Sequence, residues 1–286
     1  MKRFVLLIGL LWFSFVITSK AQTSTDRTTL WEFTGNGLST PSYLFGTFHL
    51  LCPDDLIFTE ALKQKLEASQ QLYLELDFSD PQIGMKMMEN MRMRGKTYHD
   101  LYDSLTYRQV SDSLEKIAHI RLETLNNMKP FGLYSIVLMG ALQCQPASWE
   151  LQLVDLAKAK GMNIAGLETV ESQAALFDTI PYKVQAEQLK EMVFNLDSTA
   201  TEINELINFY KSQDIHTLHS RTIADPLMQD YLDLMLYNRN ANWISIIEES
   251  AKSQATFFAF GAGHLAGDKG VINLLRKRGY TVKPVY

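Results

Sequence analysis

The chain contains only two cysteines in 286 residues, no basic tract and no long apolar run beyond its first residues. Each shortage excludes something. With a formal net charge of −5 and no clustered Lys or Arg, there is no electrostatic footprint for nucleic acid, whose phosphates need one. A membrane-spanning helix needs roughly 20 consecutive apolar residues, and no stretch past the amino terminus supplies them. A His-Glu-x-x-His helix is missing, which removes the conventional zincins, and there is no Gly-x-Ser-x-Gly elbow for a serine hydrolase. Gly261-x-Gly263-x-x-x-Gly267 follows an apolar stretch, but a dinucleotide loop requires an acidic strand about 20 positions further on. The chain ends too soon for that. No Pro-, Gly- or Ser-rich linker divides the sequence, so residues 22–286 read as one domain.

What is present begins with an export signal. Lys2 and Arg3 precede the apolar run Phe4 to Ile17, and Ser19-Lys20-Ala21 supplies the small residues of a cleavage site. At about 14 residues the run is shorter than the roughly 20 of a spanning helix. Residues 1–21 are therefore expected to be a signal peptide, cleaved after Ala21, with an uncleaved anchor as the alternative. Losing Lys2, Arg3 and Lys20 moves the formal charge from −5 to −8. The expected location is periplasmic or secreted, with no stable membrane span after cleavage. In such an oxidising compartment Cys52 and Cys144 read as one disulfide; two separate buried thiols are the alternative.

Hydrophobic spacing predicts an α/β fold. Leu30-Trp31-Glu32-Phe33 alternates like a strand, Asn36-Gly37 is a hairpin-type turn, and Ser42 to Phe45 resumes the strand. Gln71 to Asp77 is a further strand, with Leu72, Leu74 and Leu76 on one face and Tyr73, Glu75 and Asp77 on the other. Asp54 to Ser69, between them, has helical spacing. Pro81 to Lys160 is almost wholly helical, with Pro130 opening one helix and Gly161 stopping another. Asn163 to Leu167 is a short strand, and Glu171 to Gln254 is helical, broken at Pro181 and Pro226. Thr256 to Gly261 is an apolar strand. Asp268 is placed to cap a last helix before the strand Thr281 to Pro284. The expected architecture is a mixed, mostly parallel sheet with large helical insertions.

An internal echo carries the chemistry. Phe45-Gly46-Thr47-Phe48-His49-Leu50 and Phe260-Gly261-Ala262-Gly263-His264-Leu265 share the form F-G-x-x-H-L, each directly after an apolar strand. The carboxyl ends of parallel strands are where open α/β sheets place their sites. Two imidazoles converging there make a pair of divalent-metal ligands that lacks only an anionic third. Glu75, at the end of its strand, is the first candidate, and Asp77 could replace or assist it. Zinc, manganese, cobalt and iron all suit such a donor set.

These residues resemble a known family. Gly46-x-x-His49, Leu74-Glu75-Leu76-Asp77, Gly166-Leu167-Glu168-Thr169, Arg239-Asn240-x-x-Trp243 and Gly261-x-Gly263-His264-Leu265 look like the signature of TraB/GumN proteins, and the tail Gly270 to Tyr280 matches as well. The family is similar to the Tiki proteases and to the wider group of erythromycin esterase and ChaN-like proteins. The resemblance implies a divalent metal held by His49, Glu75 and His264, with Glu168 and Arg239 close by.

The expected activity is metal-dependent hydrolysis of a peptide or small molecule. Glu168, or the acidic side chain not bound to metal, would serve as general base, and Arg239 would stabilise an oxyanion. An N-cap-like contact is the plain structural role for Glu168, and a helix-to-sheet ion pair is that for Arg239. A non-catalytic binding protein and a metal-free His/Glu esterase are the alternatives. His216 and His219 share a helical face and read as a surface pair, while His99 and His119 have no partners in the pattern. Met85, Met87, Met88, Met91 and Met93 suit either an adaptable binding groove or an apolar helix packed on the core. Glu150 opens a helix, where it complements the dipole.

Overall fold

A computed structural model describes residues 26–142 and 144–286; the expected signal peptide lies outside the described residues. Six strands form one sheet: β1 (Leu30–Thr34), β2 (Ser42–Thr47), β3 (Gln71–Leu74), β4 (Asn163–Gly166), β5 (Thr256–Gly261) and β6 (Thr281–Pro284). Their spatial order is β4-β3-β5-β2-β1-β6. β4, β3, β5 and β2 pair in parallel, and β1 runs against both β2 and β6. The mostly parallel α/β sheet expected from the sequence is the one observed.

Between β2 and β3 lies α1 (Glu60–Glu67), and between β3 and β4 lie α2 (Ile83–Asn90), α3 (Ser104–Ala118), α4 (Pro130–Ala141) and α5 (Trp149–Ala159). Between β4 and β5 come α6 (Val170–Thr179), α7 (Tyr182–Phe194), α8 (Leu196–Lys211), α9 (Ile215–Ala224), α10 (Pro226–Leu232) and α11 (Asn238–Ser253), and α12 (Val271–Lys277) precedes β6. Among the described residues, no helix is long and apolar enough to cross a membrane.

Alternation along the strands divides the core in two. Leu72, Leu74, Tyr43, Phe45, Phe257 and Ala259 face α5, α8 and α1. Trp31, Phe33, Leu44, Phe258 and Phe260 face α11 and α12. A third apolar cluster, built on α3, α4 and α7, belongs to the helical insertions alone.

Boundaries differ from the sequence reading where local hydrogen bonding wins. β3 stops at Leu74 rather than Asp77, because Asp77 turns the chain by accepting the Ser79 N–H at 2.9 Å. The helix expected from Asp54 begins at Glu60, where Thr59 caps it by accepting the Leu62 N–H. Asp268 does not cap α12; Gly270 occupies that position and makes no side-chain cap. Cys52 and Cys144 form the expected disulfide.

Candidate functional site

Chain topology brings the two F-G-x-x-H-L copies together. β5 enters the sheet between β2 and β3, so Thr47 pairs with Gly261 and Leu74 with Ala259 at the same carboxyl edge. His49, Glu75, Glu168 and His264 follow the ends of β2, β3, β4 and β5. Gly261 is the meeting point. A Cβ added there would lie 3.3 Å from Glu75 Oε1, 3.7 Å from His264 Cδ2 and 3.9 Å from His49 Nε2. Gly46 is required for a different reason. A Cβ on it would stand 2.7 Å from Leu265 and 2.9 Å from Ala262, so the second copy's turn packs on the first copy's backbone.

Both imidazoles are anchored through Nδ1. His264 is buried and its Nδ1 lies 2.5 Å from Asn240 Oδ1, an acceptor, so Nδ1 carries the proton. Asn240 is fixed in turn by donating to the Lys269 carbonyl at 2.9 Å. Burial and the neighbouring Arg239 push the His264 pKa down to about 3, so the ring is neutral. His49 Nδ1 lies 2.9 Å from Glu150 Oε1, and its side chain is 60% exposed. Burial works against charging this ring, but the charge and hydrogen bond of Glu150 raise its pKa to about 9. An Nδ1 tied to a carboxylate or amide oxygen is the usual arrangement of metal-ligating histidine, although here the His264 Nε2 is taken by Arg239.

An ion-pair network fills the space between the carboxylates. Arg239 Nη2 donates to Glu75 Oε2 at 2.6 Å and to Glu168 Oε2 at 3.0 Å, and Nε donates to Glu168 Oε1 at 2.9 Å. Nη1 donates to the Met235 carbonyl and to His264 Nε2, both at 3.2 Å. All the donors a guanidinium possesses are therefore engaged. Glu75 Oε1 also accepts the Gly261 N–H at 2.8 Å, and Oε2 accepts from Gln173. Burial raises the Glu75 pKa, but the Arg239 charge, with His49 and the Gly261 N–H, outweighs it and holds the carboxyl well below its usual range. Trp243 Nε1 donates to Glu168 Oε1 at 3.0 Å, and the Trp243 ring lies under Arg239 and against His264.

Thr169, not Glu168, is the N-cap of α6. In this arrangement neither Glu168 nor Arg239 has an unengaged group for a substrate. Asp77 is turned onto Ser79 and does not join the cluster.

Three partners were not assigned to the site from sequence. Glu150 accepts from Thr47 and Ser148 as well as His49. Its signal was readable: it stands on the buried stripe of α5 with Leu153, Val154 and Ala157, where a charge needs a partner. Asn240 stands likewise on the buried stripe of α11 with Trp243, Ile244 and Ile247. Gln173 carried no such mark. The disulfide brackets the first pair, since Cys52 follows His49 closely and Cys144 precedes Glu150. A backbone bond from Ala147 N–H to the Leu51 carbonyl at 2.8 Å adds to that bracket.

His219 is not a surface residue. It is buried, reaches the Gly263 carbonyl at 3.2 Å and packs on Gly267, whose φ of +85° is left-handed. His99 stacks on Tyr107, and His119 ends α3 in a left-handed conformation. Met85 and Met88 on α2 are exposed while Met93 is buried.

The chemistry of the donor set, two Nδ1-anchored imidazoles and one carboxylate, fits a divalent cation. The spacing here does not close around one: among the described residues, no three His, Cys, Asp or Glu side chains are grouped to hold a metal ion. Arg239 lies between two of the three candidates instead.

Sequence comparison finds distant relatives of this chain among known proteins. Metalloprotease TIKI2 of Danio rerio is 23% identical over 305 aligned positions, covering 85% of this chain and 58% of that protein. Metalloprotease TIKI2 of Xenopus tropicalis is 24% identical, over 85% of this chain and 57% of that protein. Metalloprotease TIKI1 of Danio rerio is 24% identical, over 85% and 60%. The chain thus spans less than two thirds of the length of these relatives. No solved structure gives a significant match. Residues 29–284, which include every strand and every site residue described above, match the TraB/PrgY/gumN family, and the chain belongs to that family.

Proposed function

We propose that this protein is an exported metal-dependent hydrolase that cleaves peptide bonds, with His49, Glu75 and His264 as the metal-holding residues. One observation carries the reading: the ends of three adjacent parallel strands bring His49, Glu75 and His264 to one carboxyl edge of the sheet, beside Gly261. The relatives named metalloproteases support the reaction class. The disulfide supports an oxidising destination, periplasmic or secreted.

A divalent cation held by His49, Glu75 and His264 would supply polarisation of a carbonyl and activation of water. The remaining work falls to the chain. Glu150 and Asn240 hold the two imidazoles by Nδ1. Glu168 holds Arg239, which in turn holds Glu75. Proton transfer by Glu168 and oxyanion binding by Arg239 each require release of one of these bonds.

A second reading is favoured by the His49–Glu150 pair itself, since an imidazole backed by a carboxylate and open to solvent can work as acid or base without metal. The test is metal content and peptide hydrolysis of protein recovered from the periplasm, with His49→Ala and His264→Ala beside it. Near-stoichiometric metal that both variants lose, and activity abolished by chelator and restored by metal, is the expected result. Hydrolysis that survives complete chelation overturns the metal reading in favour of the second. A saturable ligand with no product under any metal overturns both.

A further inference from the structure

We propose that the Arg239 guanidinium is the resident counter-ion of the metal-free site, and that metal loading shifts it off Glu75 and His264 onto Glu168. The proposal rests on the metal reading above and explains why the candidate ligands are not grouped around a common centre. A buried carboxylate, Glu75, and a partly buried one, Glu168, face one buried guanidinium, and the same guanidinium donates to the Nε2 lone pair of His264. Those are the acceptors a cation would use. A buried carboxylate left without a positive partner is strongly disfavoured, so the metal-free chain needs a cation of its own.

Arg239 is built to give way. Its Nε and Nη2 are both on Glu168, a two-point hold that remains when the Glu75 and His264 contacts are released. Trp243 anchors the same carboxylate and lies under the guanidinium, so the retreat position is already formed. The other contact to be released, Nη1 to the Met235 carbonyl, goes to the π-helical turn Asp233–Tyr237. Turns of that kind recur at functional sites, where the widened ladder leaves slack. At the vacated end Gly261 has no side chain to fill the space. Arg239 and the metal thus compete for Glu75 and His264, which makes Arg239 a positioning residue that also sets metal affinity.

The test is equilibrium titration of the full chain with Zn²⁺, Mn²⁺ and Co²⁺, together with Tm of the metal-free and metal-saturated forms, for the parent and Arg239→Gln. The expected result is a lower metal-free Tm in the variant, a larger rise on metal addition, and a Kd tighter by about tenfold, within the usual range of coupling between two ligands of one protein. A parent that binds metal while Arg239→Gln binds equally or more weakly overturns the counter-ion role and leaves the metal reading standing. No binding by either protein overturns both. A folding failure of the variant does not remove the test, because the parent can be read directly by NMR of its arginine side chains. Saturating Zn²⁺ should move the Arg239 Nη signals and leave its Nε, on Glu168, in place; unchanged Nη signals in zinc-loaded protein overturn the proposal.

Discussion

The two F-G-x-x-H-L copies are alike in sequence and opposite in environment. After β2 the chain runs outward past Thr47 and Phe48, and His49 stands at the open rim, paired with a carboxylate. After β5 the small pair Ala262-Gly263 lets the chain curl into a short 3₁₀ turn, which buries His264 between Trp243 and Asn240. The first ring is raised toward the charged form and the second is held neutral. A shared motif therefore delivers an imidazole to a place, and its neighbours decide the protonation state. The polar partner, Glu150 or Asn240, comes from a helix far along the chain in one case and from α11 in the other.

The largest expected effect comes from cutting the bracket that only the first copy has. The Cys52–Cys144 bridge closes 92 residues, and loop-closure entropy puts its contribution at about 4–5 kcal/mol. A Cys52→Ser/Cys144→Ser double variant should lose about that much in urea unfolding. The imidazole signals of His49 should shift while those of His264 stay. Equal shifts at both rings would show that the two copies are not independently held.

The polar partners come next. Asn240→Ala leaves the buried His264 Nδ1–H unpaired and should cost about 1–3 kcal/mol, with a 10- to 100-fold loss of metal affinity, roughly the effect of losing an outer-shell partner. Glu150→Gln keeps a hydrogen-bonding oxygen beside the exposed His49, so a similar affinity loss should come with a smaller change in Tm. The reverse ranking in thermal unfolding would break the contrast between rim and interior.

Gly46→Ala tests the contact between the copies. Its Cβ meets Ala262 and Leu265 at under 3.0 Å, and overpacking of that kind costs about 1–3 kcal/mol. Chemical denaturation should show the loss; a neutral result would mean that the second turn can shift without cost.

The pH dependence of the metal-free protein reads the same contrast without a substitution. His49, raised to about 9 from 6.5, contributes stability that is present below pH 6.5 and lost as pH rises through about 9. His264, lowered to about 3, contributes stability that is present above pH 6.5 and lost as pH falls toward 3. Solvent screening at the exposed His49 makes the alkaline arm the weaker one. A pH series of Tm values reads the two arms, and imidazole NMR assigns them. A His264 that titrates near 6.5 would remove the distinction.

Much of this was legible in the residues. A continuous apolar run located β5 because both faces of the sheet are buried under helices, alternation located β1 and β3, and Pro130 and Gly161 mark helix ends through backbone constraints that act locally. The F-G-x-x-H-L echo pointed to His49 and His264, and the acidic strand end to Glu75. Glu150 was visible as a helix-opening carboxylate and Asn240 as part of the Arg239-Asn240-x-x-Trp243 signature; nothing in the chain says which ring a buried carboxylate or amide will meet. His219 read as a surface residue because the face it covers, at Gly263 and Gly267, is created by tertiary packing.

The sequence by itself determined the elements, the α/β class, the cysteine pair and the residue types available for chemistry, since these follow from short-range periodicity, turn preferences and composition. Only the tertiary structure decided that β5 enters between β2 and β3, that Asp77 turns away while Glu75 stays, and that Arg239 bridges Glu75, Glu168 and His264. Those outcomes depend on contacts between segments separated by scores of residues. Their energies come from burial and charge pairing, which no local pattern encodes.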